Sequence, residues 1–185
     1  MTEEAKFTLA DVSKATDVPV ATIRSWFQRR HMTLGLSDKS VGAGIARKVT
    51  LQTAMAIAIT GELVSKFGLH PRRAATAATV FSHIGAPDED TGIGRIPGRL
   101  WAGPELADTV LVILADDPEG SSSTVLRIPR SKKFWDVFDT SLFGQHGAQY
   151  AIVVVLDELV HQVRERLNLP LDFEDEAPKL SQGNS

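Results

Sequence analysis

Two short amphipathic segments on either side of a proline-containing turn are the feature that most constrains the fold of this chain. A helix is predicted from Leu9 to about Ala15, with Thr8 as its N-cap. The turn at residues 16–19, TDVP, ends that helix because its side chains favour turns and proline cannot continue a preceding helix. A second helix is predicted to begin near Val20, which gives a helix-turn-helix.

The second helix separates its side chains between two faces. Its apolar residues recur at helical spacing and form one stripe, namely Val20, Ile23, Trp26 and Phe27. The polar residues therefore project elsewhere, namely Thr22, Arg24, Ser25, Gln28 and Arg29. This pattern leaves two interpretations, a solvated surface helix or a helix that lies against phosphates. For Trp26, packing in the core is preferred to stacking on a nucleotide, because it continues the aliphatic stripe.

A glycine-bearing basic segment follows the second helix. Residues 32–49 show little helical periodicity, and IARKVT then resumes the alternation of a short strand. We predict a two-stranded hairpin, or wing, that is tipped with Lys39 and closed by Arg47 and Lys48.

Charge is distributed unevenly along the 185 residues. The net charge is −3, but residues 1–80 carry a formal +5 and residues 81–185 carry −8. Local charge governs electrostatic steering, so the basic N-terminal half is the predicted nucleic-acid surface. The acidic half is suited to a basic partner, or to keeping the protein away from nonspecific DNA.

Two further helices complete the N-terminal half. Thr50 caps a predicted helix over residues 51–67 that ends at Gly68, and Pro71 begins another that continues to Ile84. Arg72 and Arg73 lie in the first turn of the latter. They are interpreted either as a second phosphate clamp, since free N–H groups occur at a helix N-terminus, or as an ordinary surface cluster.

The remainder of the chain predicts a small α+β domain. Strands are expected at residues 109–115 and 124–129, a short helix over KKFWDVFDTSLF, and a strand at residues 152–155 followed by a helix from residue 156 or 157. The predicted organisation is a DNA-binding domain (1–86), a linker or long ordered loop (87–104), an oligomerisation or interaction domain (105–170) and a disordered tail (171–185). The predicted fold class is therefore α+β.

Composition narrows the classes of function. The chain has no cysteine, no apolar run long enough for a membrane span and no secretory signal, which predicts a cytoplasmic protein without membrane contact. Its acidic pairs lack a suitably spaced catalytic partner, and its histidines are too scattered to predict a metal site. We therefore expect no enzyme activity, no cofactor and no metal.

Residues 6–69, from FTLADVSKATDVPVATIRSWFQRR to ARKVTLQTAMAIAITGELVSKFGL, resemble the MerR-type winged helix-turn-helix domain, with excisionase-like proteins as relatives. The resemblance implies that the second helix enters the major groove through Thr22, Arg24, Ser25 and Gln28. It also implies that the wing grips the backbone through Arg47 and Lys48. The side-chain chemistry favours phosphate contacts from Arg29, Arg30 and Lys48, and reading of base edges by Arg24 and Gln28.

The expected function is a sequence-specific, DNA-binding transcriptional regulator that acts as a homodimer on a palindromic site. No long C-terminal coiled coil is visible, so dimerisation is expected to use the C-terminal domain or the helix at residues 51–67. Two alternatives remain at this point. One is an architectural DNA-binding factor in excision or recombination, and the other is an adaptor whose C-terminal domain binds a protein.

Overall fold

The computed structural model describes residues 5–32, 38, 48–85, 95–101, 106–114, 122–133 and 150–170. These residues form five helices and two small antiparallel sheets, which confirms the α+β class. In chain order the elements are β1 (Lys6–Thr8), α1 (Leu9–Thr16), α2 (Val20–Gln28), β2 (Lys48–Thr50), α3 (Leu51–Phe67), α4 (Pro71–Ser82), β3 (Ala107–Leu114), β4 (Ser123–Pro129), β5 (Ala151–Val155) and α5 (Asp157–Arg166).

The first helix pair forms where the sequence predicts it. The Thr8 hydroxyl accepts a hydrogen bond from the Asp11 amide, and the Asp11 carboxylate accepts one from the Thr8 amide, so the two residues form a capping box. Asp17 ends α1 in the left-handed conformation, with φ 58°, and α2 begins at Val20. The predicted N-cap, turn and start of the second helix are confirmed.

The N-terminal sheet has a partner that the sequence pattern does not indicate. β2 pairs antiparallel with β1, with Lys6 opposite Thr50 and Thr8 opposite Lys48. Three residues are too few to show an alternating pattern, which is why β1 is not predicted. Most of the predicted wing, including Lys39 and Arg47, lies outside the described residues, so this hairpin stays a prediction.

The helix α3 is the centre of the N-terminal half. Thr50 caps it through the Thr53 amide and Gly68 ends it with φ 66°, as predicted. Gly61 lies on α3 where the turn between α1 and α2 approaches, because a Cβ atom at Gly61 would lie 2.5 Å from Cγ2 of Val18. The glycine therefore permits the turn between α1 and α2 to pack closely against α3.

The C-terminal end of α4 is capped by a buried arginine. Arg95 is 4% exposed, and its guanidinium donates to the carbonyls of Val80 and Phe81 at 2.9 and 2.8 Å and to that of Ile84. These carbonyls have no partner within the helix, and the positive charge is favourable at the negative end of the helix dipole. Burial lowers the pKa of Arg95 to about 10, so the side chain remains charged at neutral pH.

The C-terminal sheet has the strand order β4-β3-β5, with both pairings antiparallel. The predicted strands and the strand-to-helix transition near residue 156 are confirmed. Leu111 and Ile113 of β3 face the main core, whereas Val110 and Val112 belong to a second apolar cluster on the opposite face of the sheet. Both faces of the central strand are therefore buried.

A single apolar core joins the two halves of the described chain. It contains Ile57 and Phe81 from the N-terminal helices together with Leu111 and Val160 from the C-terminal part. Arg95, Leu100 and Trp101 lie within the predicted linker 87–104 and are buried. The helix α5 packs against α1 and α3, and Arg166 at its end donates to the Asp17 carboxylate at 2.6 Å.

Two predicted segments and the expectation that the chain does not span a membrane remain to be compared with the structure. Most of the helix expected over KKFWDVFDTSLF and the tail at 171–185 lie outside the described residues. Among the helices that the structure describes, none combines the length and the hydropathy needed to cross a bilayer.

Candidate nucleic-acid interface

The helix α2 presents a polar face to solvent because its opposite face is fixed in the core. Ile23 and Trp26 are 0% and 5% exposed, and Trp26 therefore packs as predicted rather than offering a stacking surface. Arg24 and Gln28 are exposed one turn apart, and both can reach a ligand outside the protein. Thr22, Ser25 and Phe27 are half-buried at the edges of this face, so the two short polar side chains are less accessible than Arg24.

The end of α2 contains an arginine in an unusual backbone conformation. The Arg30 amide donates to the Phe27 carbonyl and the His31 amide donates to the Trp26 carbonyl, which is the bonding pattern of a Schellman motif. Arg30 occupies the left-handed position of that motif with φ 56°, where glycine is usual. The side chain of Arg30 is exposed, and so is that of Arg29 before it.

The end of α2 meets the start of α4 in a group of basic residues that we call the cationic cluster, defined as Arg29, His31, His70 and Arg72. The rings of His31 and His70 contact edge to face, with centroids 5.2 Å apart. His70 is the N-cap of α4, and its Nδ1 accepts a hydrogen bond from the Arg72 amide. The fold therefore brings the sequence-predicted residues of the second helix close to Arg72, although they are more than 40 positions apart in the chain.

The cationic cluster changes the titration of one of its members. Partial burial of the His31 ring, followed by the charges of His70, Arg29 and Arg72, lowers the pKa of His31 below its ordinary value of 6.5. Each of these effects disfavours the protonated, positively charged form of the His31 ring. An anion that approaches the cluster would reverse the electrostatic part of this shift.

The other predicted contact residues differ in their accessibility. Lys48 is exposed at the start of β2, where it is available to a backbone phosphate. Arg73 is half-buried and its Nη2 donates to the Leu114 carbonyl at 2.9 Å, so it connects α4 to the C-terminal sheet. A structural role therefore accounts for Arg73, whereas Arg72 is an exposed member of the cationic cluster.

Asp38 is a residue that sequence reasoning did not identify. It is buried, and its carboxylate accepts hydrogen bonds from the Thr50 amide at 2.7 Å and from the Thr53 hydroxyl. These bonds hold Asp38 at the N-terminal end of α3, where a negative charge is favourable. No local pattern predicts this contact, because its partners lie 12 and 15 residues later in the chain.

The described surface has a cavity beside the cationic cluster. This polar cavity has a volume of about 70 Å³. It is lined by His31, Met32, Ala56, Ala75, Thr76, Thr79 and His83. Among the described residues, no three metal-ligating side chains converge on one point.

The geometry is therefore that of an exposed basic helix whose position is fixed by the core and whose end joins a second group of cations. Comparison with the models of known protein families gave no match, and a search of curated proteins found no similar sequence.

Proposed function

We propose that this protein is a sequence-specific DNA-binding regulator of transcription whose recognition element is α2. The observation that carries this proposal is the division of α2 between a buried apolar face at Ile23 and Trp26 and an exposed face at Arg24 and Gln28. A helix held in this way can enter the major groove, which is wide enough to admit it, without losing its support from the core.

Each exposed side chain has a role in the proposal that follows from its chemistry. The Arg24 guanidinium can donate two hydrogen bonds to the O6 and N7 atoms of guanine, and the Gln28 amide can bond in the same way to adenine. Arg29, Arg30 and Lys48 contact phosphates, which fix the register of the helix but do not read sequence. Thr22 and Ser25, with short half-buried side chains, line the edge of the interface.

Local charge supports this assignment over an ordinary solvated helix. No acidic residue occurs in the sequence between Asp17 and Asp38, whereas Arg24, Arg29 and Arg30 all fall in that interval. A solvated surface helix usually carries charges of both signs. The cationic cluster extends the same positive surface onto α4, where an incoming phosphate meets Arg72.

The test is selection of bound fragments from a pool of random duplexes by the full-length chain, because the apolar core joins both halves of the protein. We expect an enriched motif, and affinity that falls as salt rises because phosphate contacts release condensed counterions. Inverted half-sites in the enriched motif would indicate a two-fold symmetric reader. Absence of enrichment together with salt-insensitive binding would overturn the proposal.

A matched pair of variants connects that result to α2. Arg24→Ala should lower affinity for the selected motif and relax its preference at one base pair, while Arg130→Ala should leave the motif unchanged. Arg130 is an exposed arginine that pairs with Asp108 near the C-terminal sheet. Equal effects of the two substitutions would show that general positive charge, and not α2, accounts for binding.

A further inference from the structure

Among the described residues, no strand pairs with the outer edge of β5. In the described part of the chain β5 pairs with β3 alone, and it forms one edge of the sheet. The Leu156 amide donates to the Thr109 carbonyl at 2.8 Å. This bond shows which residues of β5 direct their backbone groups towards β3. Because antiparallel bonding alternates along a strand, Ile152 and Val154 direct their N–H and C=O groups towards β3, whereas Ala151, Val153 and Val155 direct theirs outward.

The composition of β5 differs from that of the opposite edge strand. β4 contains Arg127 and ends at Pro129, and charged residues and proline are common devices against pairing at a sheet edge. β5 consists of AIVVV and follows Tyr150, so the stretch from residue 150 to residue 156 has no charge and no proline. Of the two edge strands in the described sheet, only β4 therefore carries such a device in its own sequence.

Exposed apolar side chains occur at both ends of this edge. Tyr150, just before β5, is 72% exposed, and Val155, its last residue, is 52% exposed. Between them, Ala151 and Val153 are only partly buried against the second apolar cluster. An additional strand beside β5 would cover these side chains as well as satisfy the outward backbone groups.

We propose that two copies of this chain associate through antiparallel pairing of β5 with β5, which forms one continuous six-stranded sheet across a two-fold axis at Val153. This register pairs the most residues of the five-residue strand and places Val155 of one copy opposite Ala151 of the other. The half-exposed valine then contacts a small side chain, and no like charges oppose each other. The strand edge is complementary to itself, as a two-fold interface requires.

The choice of a second copy as the partner rests on the proposed function, since a helix-turn-helix that reads a two-fold symmetric site needs two copies in a fixed relation. The connection to the recognition element is short. β5 leads directly into α5, and Arg166 at the end of α5 bonds to Asp17 in the turn before α2. The β5 interface is thereby linked through one helix to the part of the chain that positions α2.

The test is the oligomeric state of the full-length chain by sedimentation velocity without DNA, so that its outcome does not depend on DNA binding. We expect a dimer whose dissociation constant rises about tenfold or more in Val155→Lys, because a charge at an edge strand opposes pairing. Val155→Thr keeps a β-branched, uncharged side chain and should remain dimeric. A monomeric wild-type chain would overturn the proposal, as would a dimer that Val155→Lys leaves unchanged.

A cross-link provides a second measurement that does not require loss of the interface. The chain has no cysteine, so one introduced residue gives one unambiguous product. Val153→Cys should form a disulfide-linked dimer on mild oxidation, because residues paired across an antiparallel ladder lie within disulfide reach. Thr124→Cys on the β4 edge is the matched control and should remain largely monomeric. Equal cross-linking of the two variants, or none at Val153→Cys, would overturn the assigned edge.

Discussion

Arg166, the last residue of α5, donates from Nη1 to the Oδ2 atom of Asp17 at 2.6 Å, which ties α5 to the turn between α1 and α2. The same Nη1 atom donates to the Ala15 carbonyl at 3.2 Å, at the C-terminal end of α1, where a positive charge is favourable. The turn between α1 and α2 therefore contacts two other helices. Val18 packs on Gly61 of α3, and Asp17 bonds to Arg166 of α5.

We expect a small coupling energy between Arg166 and Asp17. Asp17 is 76% exposed, and ion pairs in water usually contribute about 0.2–1 kcal/mol. A double-mutant cycle with Arg166→Met and Asp17→Asn, measured by denaturant unfolding, should give a value in that range that shrinks as salt is added. The asparagine is suitable because it tolerates the left-handed conformation at this position. A coupling of zero at low salt would contradict the bond.

A glycine-to-alanine substitution on α3 should destabilise the protein although it favours the helix. In an unobstructed helix, Gly61→Ala would stabilise by about 1 kcal/mol. At Gly61 the new methyl group would lie 2.5 Å from the Val18 side chain, and overpacking of this kind costs about 1–3 kcal/mol. We therefore expect a lower free energy of unfolding for Gly61→Ala.

Removal of the obstructing group provides the control for Gly61→Ala. The double variant with Val18→Ala should recover part of the lost stability, because the truncated side chain leaves room for the new methyl. The double variant should therefore lose about 1 kcal/mol less free energy of unfolding than the sum of the losses in the two single variants. Strict additivity would mean that the turn does not pack on Gly61.

The sequence predicts those parts of this fold whose determinants are local. Thr8 and Thr50 are N-caps, Gly68 ends α3, and the stripe through Ile23 and Trp26 is buried, because each signal lies within one or two turns of the residue that it governs. The same argument explains why the start of α5 was predicted to within a residue.

Contacts between distant segments are what the sequence does not reveal. Arg95 is a charged residue in a glycine-rich segment, and nothing nearby indicates that it caps α4 from 11 or more positions away. Asp38 bonds to residues 12 and 15 positions later, and the cationic cluster combines residues from two separated helices. Such contacts follow from tertiary packing, which propensity and periodicity do not encode.

Replacement of Arg30 by glycine should change stability and DNA affinity in opposite directions. A non-glycine residue in the left-handed region costs of order 1 kcal/mol, so Arg30→Gly should raise the free energy of unfolding by up to about that amount. Loss of the guanidinium should at the same time weaken DNA binding by removing one phosphate contact. Chemical denaturation and gel shifts on the same preparations measure the two effects.

The matched control for Arg30→Gly is Arg30→Lys, which retains both the charge and the strained backbone. We expect its stability to equal that of the wild type and its DNA affinity to fall less than that of Arg30→Gly. If Arg30→Gly bound DNA as tightly as the wild type, the Arg30 side chain would make no contact with DNA, and Arg30 would serve only to end α2.

DNA affinity should increase as pH falls through the region just below and around pH 6.5. His31 has a lowered pKa in the free protein, and a phosphate at the cationic cluster would raise that pKa. Binding then takes up a proton between the two pKa values, so affinity rises as pH decreases across that interval and becomes constant below it. His31→Gln should flatten the profile, and an unchanged profile in this variant would place the linked proton elsewhere.

His31 should make the free energy of unfolding depend on pH in the opposite sense to DNA affinity, so that stability falls as pH falls. Its folded-state pKa lies below the unfolded value, so the folded protein binds fewer protons than the unfolded chain near pH 6. The free energy of unfolding should therefore decrease as pH falls below about 6.5 and the unfolded histidine becomes charged. Comparison of wild type with His31→Gln isolates this contribution from that of the other histidines.

Arg24 and Arg29 should respond differently to replacement by alanine, because one is assigned to a base and the other to a phosphate. Arg24→Ala should cost about 1–3 kcal/mol on the selected site and relax the preference at one base pair. Arg29→Ala or Lys48→Ala should weaken binding to all sequences by a similar factor and reduce the salt slope by about one, since one fewer counterion is released. Titrations at several salt concentrations, on the selected site and on single-base variants of it, distinguish the two patterns. If Arg24→Ala weakened binding to every variant equally, Arg24 would be reassigned to the phosphate backbone, and reading of bases would rest on Gln28.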